Sequence, residues 1–133
     1  MSIKTLGPIK SGVAAGGAGV ATNNFTTLER VTGKIKAVVL KYLDSPPGTT
    51  DVTVATAGTL MPALTILTIT NAAANAHFPI RHKISDEAGA DVTYDGTNEV
   101  YDDVVIDDYV KVTIAQADNG DSVDVFLIME DCE

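Results

Sequence analysis

The sequence predicts an all-β domain, a β-sandwich or jelly-roll-like body of about eight or nine short strands. Three observations carry this expectation. Val, Ile and Thr number 41 of the 133 residues, and such β-branched side chains suit a pleated, half-buried surface better than a helix. Several stretches alternate apolar and polar residues with period two, bounded by Gly-, Pro- or Asn-containing turns. Only NAAANAH at residues 71–77 has real helix propensity. That run is too short for a stable isolated helix, so it reads as one turn of helix or a loop. A chain of 133 residues fits one domain and can bury about two-thirds of its unfolded surface without disulfides or a metal.

Taken in order, residues 1–24 read as an extended N-terminal arm and residues 25–133 as the sandwich body. SGVAAGGAGVATNN at 11–24 has four glycines, four alanines and no charge, too little apolar area to offset the entropy of ordering it. Such a segment is held down either by a partner surface or by adding an edge strand to its own sheet. VTGKIKAVVLKYL at 31–43 alternates and then runs apolar, as a strand does when it passes from an edge into a covered core. Pro46-Pro47-Gly48 ends it, since proline supplies no ladder donor and glycine permits the reversal.

TTDVTVAT at 50–57 places Val52 and Val54 on one face. In LTILTIT, residues 64–70, the apolar phase shifts between Ile66 and Leu67, which predicts a bulge or burial on both faces. FPIRHKI at 78–84 reads as one short edge-like strand because it contains Pro79, and Asp95-Gly96 marks a hairpin. Val110, Val112 and Ile114 share one face of residues 108–117. Val123, Val125, Leu127 and Met129 share one face of residues 122–130. Asn119-Gly120 between these strands favours a tight hairpin. The last strand also carries Phe126 and Ile128 on its opposite face, so it is either central in the sandwich or part of an interface.

Charge narrows the function classes. The chain carries 9 Lys+Arg against 18 Asp+Glu, a net −9, the wrong sign for a general nucleic-acid surface. The distribution is uneven: residues 1–43 hold six cations and one anion, and residues 44–133 hold three cations and seventeen anions. A basic first third on an acidic body has two readings, an arm that docks on an acidic partner and an arm that attracts its own body. No apolar run reaches the length of a membrane span. MSIKTLGPIK lacks the apolar core of a secretory signal, which points to a cytosolic origin. Cys132 is the only cysteine and forms no internal disulfide.

Motifs for chemistry are scarce. The glycines at 12, 16, 17 and 19 are not followed by Gly-Lys-Ser/Thr, so no phosphate loop is expected. His77 and His82, with Asp86 and Glu87 nearby, lack a recognised zinc spacing and read as surface or packing residues. Ser85 is near these histidines but has no Gly-x-Ser-x-Gly around it. Asp102, Asp103, Asp107, Asp108, Asp118, Asp121 and Asp124 offer oxygens of the kind calcium takes. They lack the helix–loop–helix pattern and read as turn formers on a solvated face. The expectation is a non-enzyme with no catalytic, cofactor or metal residues.

VTGKIKAVVLKYLDSPPGTTDVTVAT, preceded by the Gly/Ala-rich segment, and DDYVKVTIAQADNGDSVDVFLIMED together resemble small virion proteins of tailed bacteriophages. The resemblance covers most of residues 30–131. It implies a capsid decoration (cement) protein, made in the host cytoplasm, that binds the capsid exterior at local symmetry axes as a homotrimer. The partner is then the major capsid protein, with neither nucleic acid nor membrane involved. On this expectation Lys4, Lys10, Lys34 and Lys36 meet an acidic shell or a neighbouring trimer, and Phe126 and Ile128 add apolar contact. A carbohydrate-binding or host-adhesion module of the virion is the alternative, although the chain has no Trp and only four Tyr to stack on sugar rings.

Overall fold

The computed structural model describes residues 2–131, which contain strands and no helix. Nine strands build two facing antiparallel sheets. In the first, β1 (Ile3–Lys10), β11 (Ser122–Glu130) and β3 (Val31–Leu43) lie side by side, and β6 (Ala76–Pro79) and β9 (Val104–Asp108) share the far edge of β3. The second runs β2 (Ala21–Thr26), β10 (Val110–Ala117), β4 (Asp51–Thr56), β5 (Thr65–Ile69). Two further strands, β7 (His82–Lys83) and β8 (Tyr101–Asp102), pair only with each other. The fold is the expected all-β sandwich.

Period-two alternation puts one core between the sheets. Ile35, Val38, Leu40, Val123, Val125, Leu127 and Met129 point in from the first sheet, and Val52, Val54, Val110, Val112 and Ile114 from the second, all fully buried. Two of the four register shifts adjust the phase around this core. Ile128 pairs with Ala37 and Met129 with Ile35, which leaves Lys36 as the extra residue of β3. Leu67 pairs with Val54 and Thr65 with Ala55, which leaves Ile66 unpaired yet buried, at the phase shift expected there. Gly33 serves a close approach: its φ is +145°, and a Cβ would lie 2.9 Å from the Glu130 carbonyl oxygen.

The structure differs from the expected division into arm and body. β1 pairs with β11 from Ile3–Glu130 to Lys10–Asp124, and Ile9 is 6% exposed within the core. The segment that follows is equally built in. The Ser11 N–H donates to the Val123 carbonyl at 3.0 Å, and the Ala14 N–H to the Asp121 carbonyl at 2.7 Å. Residue 24 falls inside β2, which pairs with β10. Low apolar content did not leave the segment free, because the open edges of β11 and β10 supply the hydrogen bonds it cannot make alone.

Two local expectations are also corrected, and one open choice is decided. β10 and β11 do not form a hairpin: they belong to opposite sheets, and Asn119-Gly120 turns the corner between them. The Asp121 N–H still closes the turn on the Asp118 carbonyl at 3.2 Å, with Gly120 at φ +96°. Turn chemistry thus specified the reversal but not whether the inward valines would lie side by side or face each other across the core. FPIRHKI is not one strand, since Pro79 ends β6 and His82 starts β7. Residues 71–77 are a loop whose last residues enter β6 at Ala76.

Residues 81–103 leave the sandwich between β6 and β9 as a small three-tiered ladder. The Val92 N–H donates to the Ile84 carbonyl and the Val100 N–H to the Val92 carbonyl. The expected hairpin at Asp95-Gly96 is here, with the Asp95 carboxylate accepting the Thr97 and Asn98 N–H groups. Asn98 and Thr97 together hold that carboxyl below the usual aspartate range. This excursion is mostly exposed and carries two cations against seven anions. Cys132, expected to make no disulfide, lies outside the described residues.

Candidate interaction surface

Hydrogen bonds gather three loops at one end of the sandwich. The Thr27 N–H donates to the Val110 carbonyl at 2.9 Å, the Ala57 N–H to the Tyr109 carbonyl at 2.7 Å, and the Leu60 N–H to Asp108 Oδ2 at 3.4 Å. The residues that follow these anchors point outward. Leu28 is 86% exposed, and Leu60, Met61 and Leu64 are 40 to 50% exposed beside the outward Val105 of β9. At the opposite end the exposed large apolar residues are Val13 and Val20. Exposed large apolar side chains are thus concentrated at one end of an acidic body.

Two depressions shape this end. The larger, about 590 Å³, opens between the unpaired edges of β1 and β2. Leu6, Ile9, Val31 and Met129 line its floor, and Phe25 and Leu28 its wall and lip. The smaller, about 140 Å³, lies between residues 57–64 and β9. Arg30 on the rim of the first pairs at 3.2 Å with Asp107 of the second, so one ion pair stands between them.

The structure scatters the lysines expected to dock. Lys4 pairs with Asp131 at 2.7 Å, which holds that carboxyl below the usual range. Lys10 lies 3.9 Å from Asp124. Lys36, at the bulge, reaches Asp103 at 2.8 Å on one side and Glu130 at 3.4 Å on the other. The hydrogen bond from Lys36 lowers the Asp103 pKa, and Asp103 raises that of Lys36. With Arg30 on Asp107, four of the six cations in residues 1–43 bond to carboxylates of residues 103–131. This is the within-chain reading of the charge asymmetry. Lys34 is half-buried on the outer face and makes no ion pair among the described residues.

Phe126 and Ile128 are half-buried on the outer face of the first sheet, beside Val39 and Ala37 of β3. They sit on a central strand, and Phe126 lies against Gly7 of β1. Asp108, Asp121 and Asp124 are buried and not on the expected solvated face. Several aspartates serve turns and pairs, Asp118 accepting the Gly19 N–H at 2.8 Å, Asp121 the Asp118 N–H, and Asp107 the Thr32 hydroxyl. His77 is exposed on β6, and His82 Nε2 lies 3.1 Å from the Ile66 carbonyl. Among the described residues no group of three or more His, Cys, Asp or Glu side chains converges as metal ligands would. Among the described residues no helix is long and apolar enough to cross a membrane.

Sequence reasoning missed the apolar end. A signal for it was present: residues 52–76 contain no Asp, Glu, Lys, Arg or His, and within that stretch GTLMPAL places three large apolar residues in a loop. No family model, curated protein or solved structure matches this chain.

Proposed function

We propose that this chain is a structural, non-catalytic virion protein of a tailed bacteriophage, a capsid decoration (cement) protein. It binds the outside of the assembled head as a homotrimer, with the major capsid protein as its partner, and stabilises the shell. The observation that carries this reading is the apolar end on an otherwise acidic sandwich. Leu28, Leu60, Met61 and Leu64 give a contact surface whose burial favours docking, while the acidic remainder faces solvent and disfavours DNA. The phage-like segments at 31–56 and 107–131 lend support, because they supply β3, β4, β10 and β11, the strands that position this end. Stabilisation follows from binding the assembled shell and not its dissociated subunits. Lys34 remains available to an acidic neighbour, whereas Lys4, Lys10 and Lys36 are held within the chain.

Co-sedimentation with expanded capsids lacking the protein tests this reading. Saturable binding at a multiple of three copies per local threefold site is expected, and Leu28→Ser with Met61→Ser should weaken it by about tenfold or more. No binding of the wild-type protein to intact shells refutes it. Tyr94 and Tyr101, 74% and 48% exposed on the excursion, favour a second reading as a carbohydrate-binding or host-adhesion accessory module. Glycan-array binding that is lost in Tyr94→Ala would select that alternative.

A further inference from the structure

We propose that the smaller pocket at the apolar end receives the side chain of a lysine presented by a partner protein. Met61, Pro62, Leu64, Val105 and Ile106 line a narrow apolar space of about 140 Å³, and Asp108 lines it too. Asp108 is only 2% exposed. Its Oδ1 accepts the Tyr109 N–H at 2.7 Å, and its Oδ2 accepts the Leu60 N–H at 3.4 Å. Two amides leave about half of a carboxylate's acceptor sites open. Among the described residues no cation lies within ion-pair distance of Asp108, although its neighbour Asp107 has Arg30. The loop that walls the pocket belongs to the charge-free stretch 52–76, so it brings no countercharge of its own.

A buried carboxylate without a countercharge is costly, and a visiting cation removes that cost. The rest of the pocket asks for a slender apolar stem, because Met61, Leu64 and Val105 stand half-exposed around it. A lysine meets both demands: four methylenes cover the apolar walls and the ammonium reaches Asp108. An acidic side chain would be repelled by Asp107 and Asp108, a neutral apolar one would leave the carboxylate unpaired, and the arginine head is broader. This assignment goes beyond the decoration reading and holds for any partner protein that presents a lysine.

The test uses n-butylammonium, which is the lysine side chain cut at its backbone, against the full-length protein with labelled Met, Leu and Val methyl groups. At constant ionic strength, n-butylammonium should produce saturable NMR shifts at Met61, Leu64 and Val105 with a Kd in about the millimolar range. n-Butanol, of nearly the same shape, should bind about tenfold more weakly. Asp108→Asn, which keeps one oxygen for the Tyr109 amide and turns an NH2 toward the Leu60 amide, should bring n-butylammonium down to the level of n-butanol. The proposal is overturned if n-butylammonium gives no saturation or n-butanol binds equally well. An undiminished response in Asp108→Asn overturns it too. The comparison of the two probes on the wild-type protein decides the matter even if the variant does not fold.

Discussion

Replacing Ile9 by alanine separates a built-in first strand from a projecting arm. Ile9 is 6% exposed, faces the core and pairs with Val125, whereas Ile3, on the same strand, is 62% exposed. Ile9→Ala removes three carbons from the core, worth about 2.4 kcal/mol at ~0.8 kcal/mol for each buried methylene. A residual cavity adds to this, but β1 is an edge strand whose neighbours can relax, so about 2.5 kcal/mol is expected in all. For a domain of this size each kcal/mol lowers Tm by about 4 °C, which gives a fall of about 10 °C. Ile3→Ala should stay within about 0.5 kcal/mol. Urea unfolding followed by circular dichroism measures both, with an unchanged m value as the check that only stability has moved. If Ile9→Ala is as stable as Ile3→Ala, β1 does not pack on this core and the edge-strand account fails.

Two glycines with positive φ should respond differently to alanine. Gly33→Ala meets the Glu130 carbonyl at 2.9 Å and is strained at φ +145°, so it should cost about 2–4 kcal/mol. Gly120→Ala has open space and only the strain of φ +96°, so about 1 kcal/mol is expected; equal losses in thermal melts would contradict this geometry. The Asp103 carboxyl is held below its usual range by Lys36. It therefore contributes stability above the ordinary aspartate pKa, and that contribution is lost as pH falls below about 4 through the lowered value. Lys36, raised by the same contact, contributes below the ordinary lysine pKa and loses its contribution as pH rises through the raised value. Urea midpoints of Lys36→Met should fall less steeply with acid than those of the wild type, and parallel curves would show that the pair is not coupled to folding. In capsid binding, Phe126→Ser should leave affinity within about twofold while Leu28→Ser lowers it; the reverse order would move the docking surface from the apolar end to the outer face of the first sheet.

What the sequence determined by itself was local. The alternation in residues 31–43, 50–57, 108–117 and 122–130 was enough to name β3, β4, β10 and β11 and to say which of their side chains turn inward. Period two is a property of each strand alone, so it can be read without knowing the neighbours. The bulge at Ile66 was legible for the same reason. Pairing was not. Asn119-Gly120 fits a hairpin and a corner between sheets equally well, and only the facing valines of β10 and β11 across one core chose the corner.

The fate of residues 2–24 was likewise a tertiary decision. Glycine and alanine describe a segment that cannot order itself, while the open edges of β11 and β10 are supplied by residues roughly a hundred positions away. The candidate site shows the same limit. Lysines that looked free in sequence are matched to distant aspartates, and three apolar residues in an unremarkable loop became one exposed surface with Leu28 because hydrogen bonds to the β9–β10 corner hold both loops at the same end. Charge and apolar character are written residue by residue, but which of them meet depends on contacts between strands far apart in the chain, and those contacts are settled only when the two sheets close on a shared core.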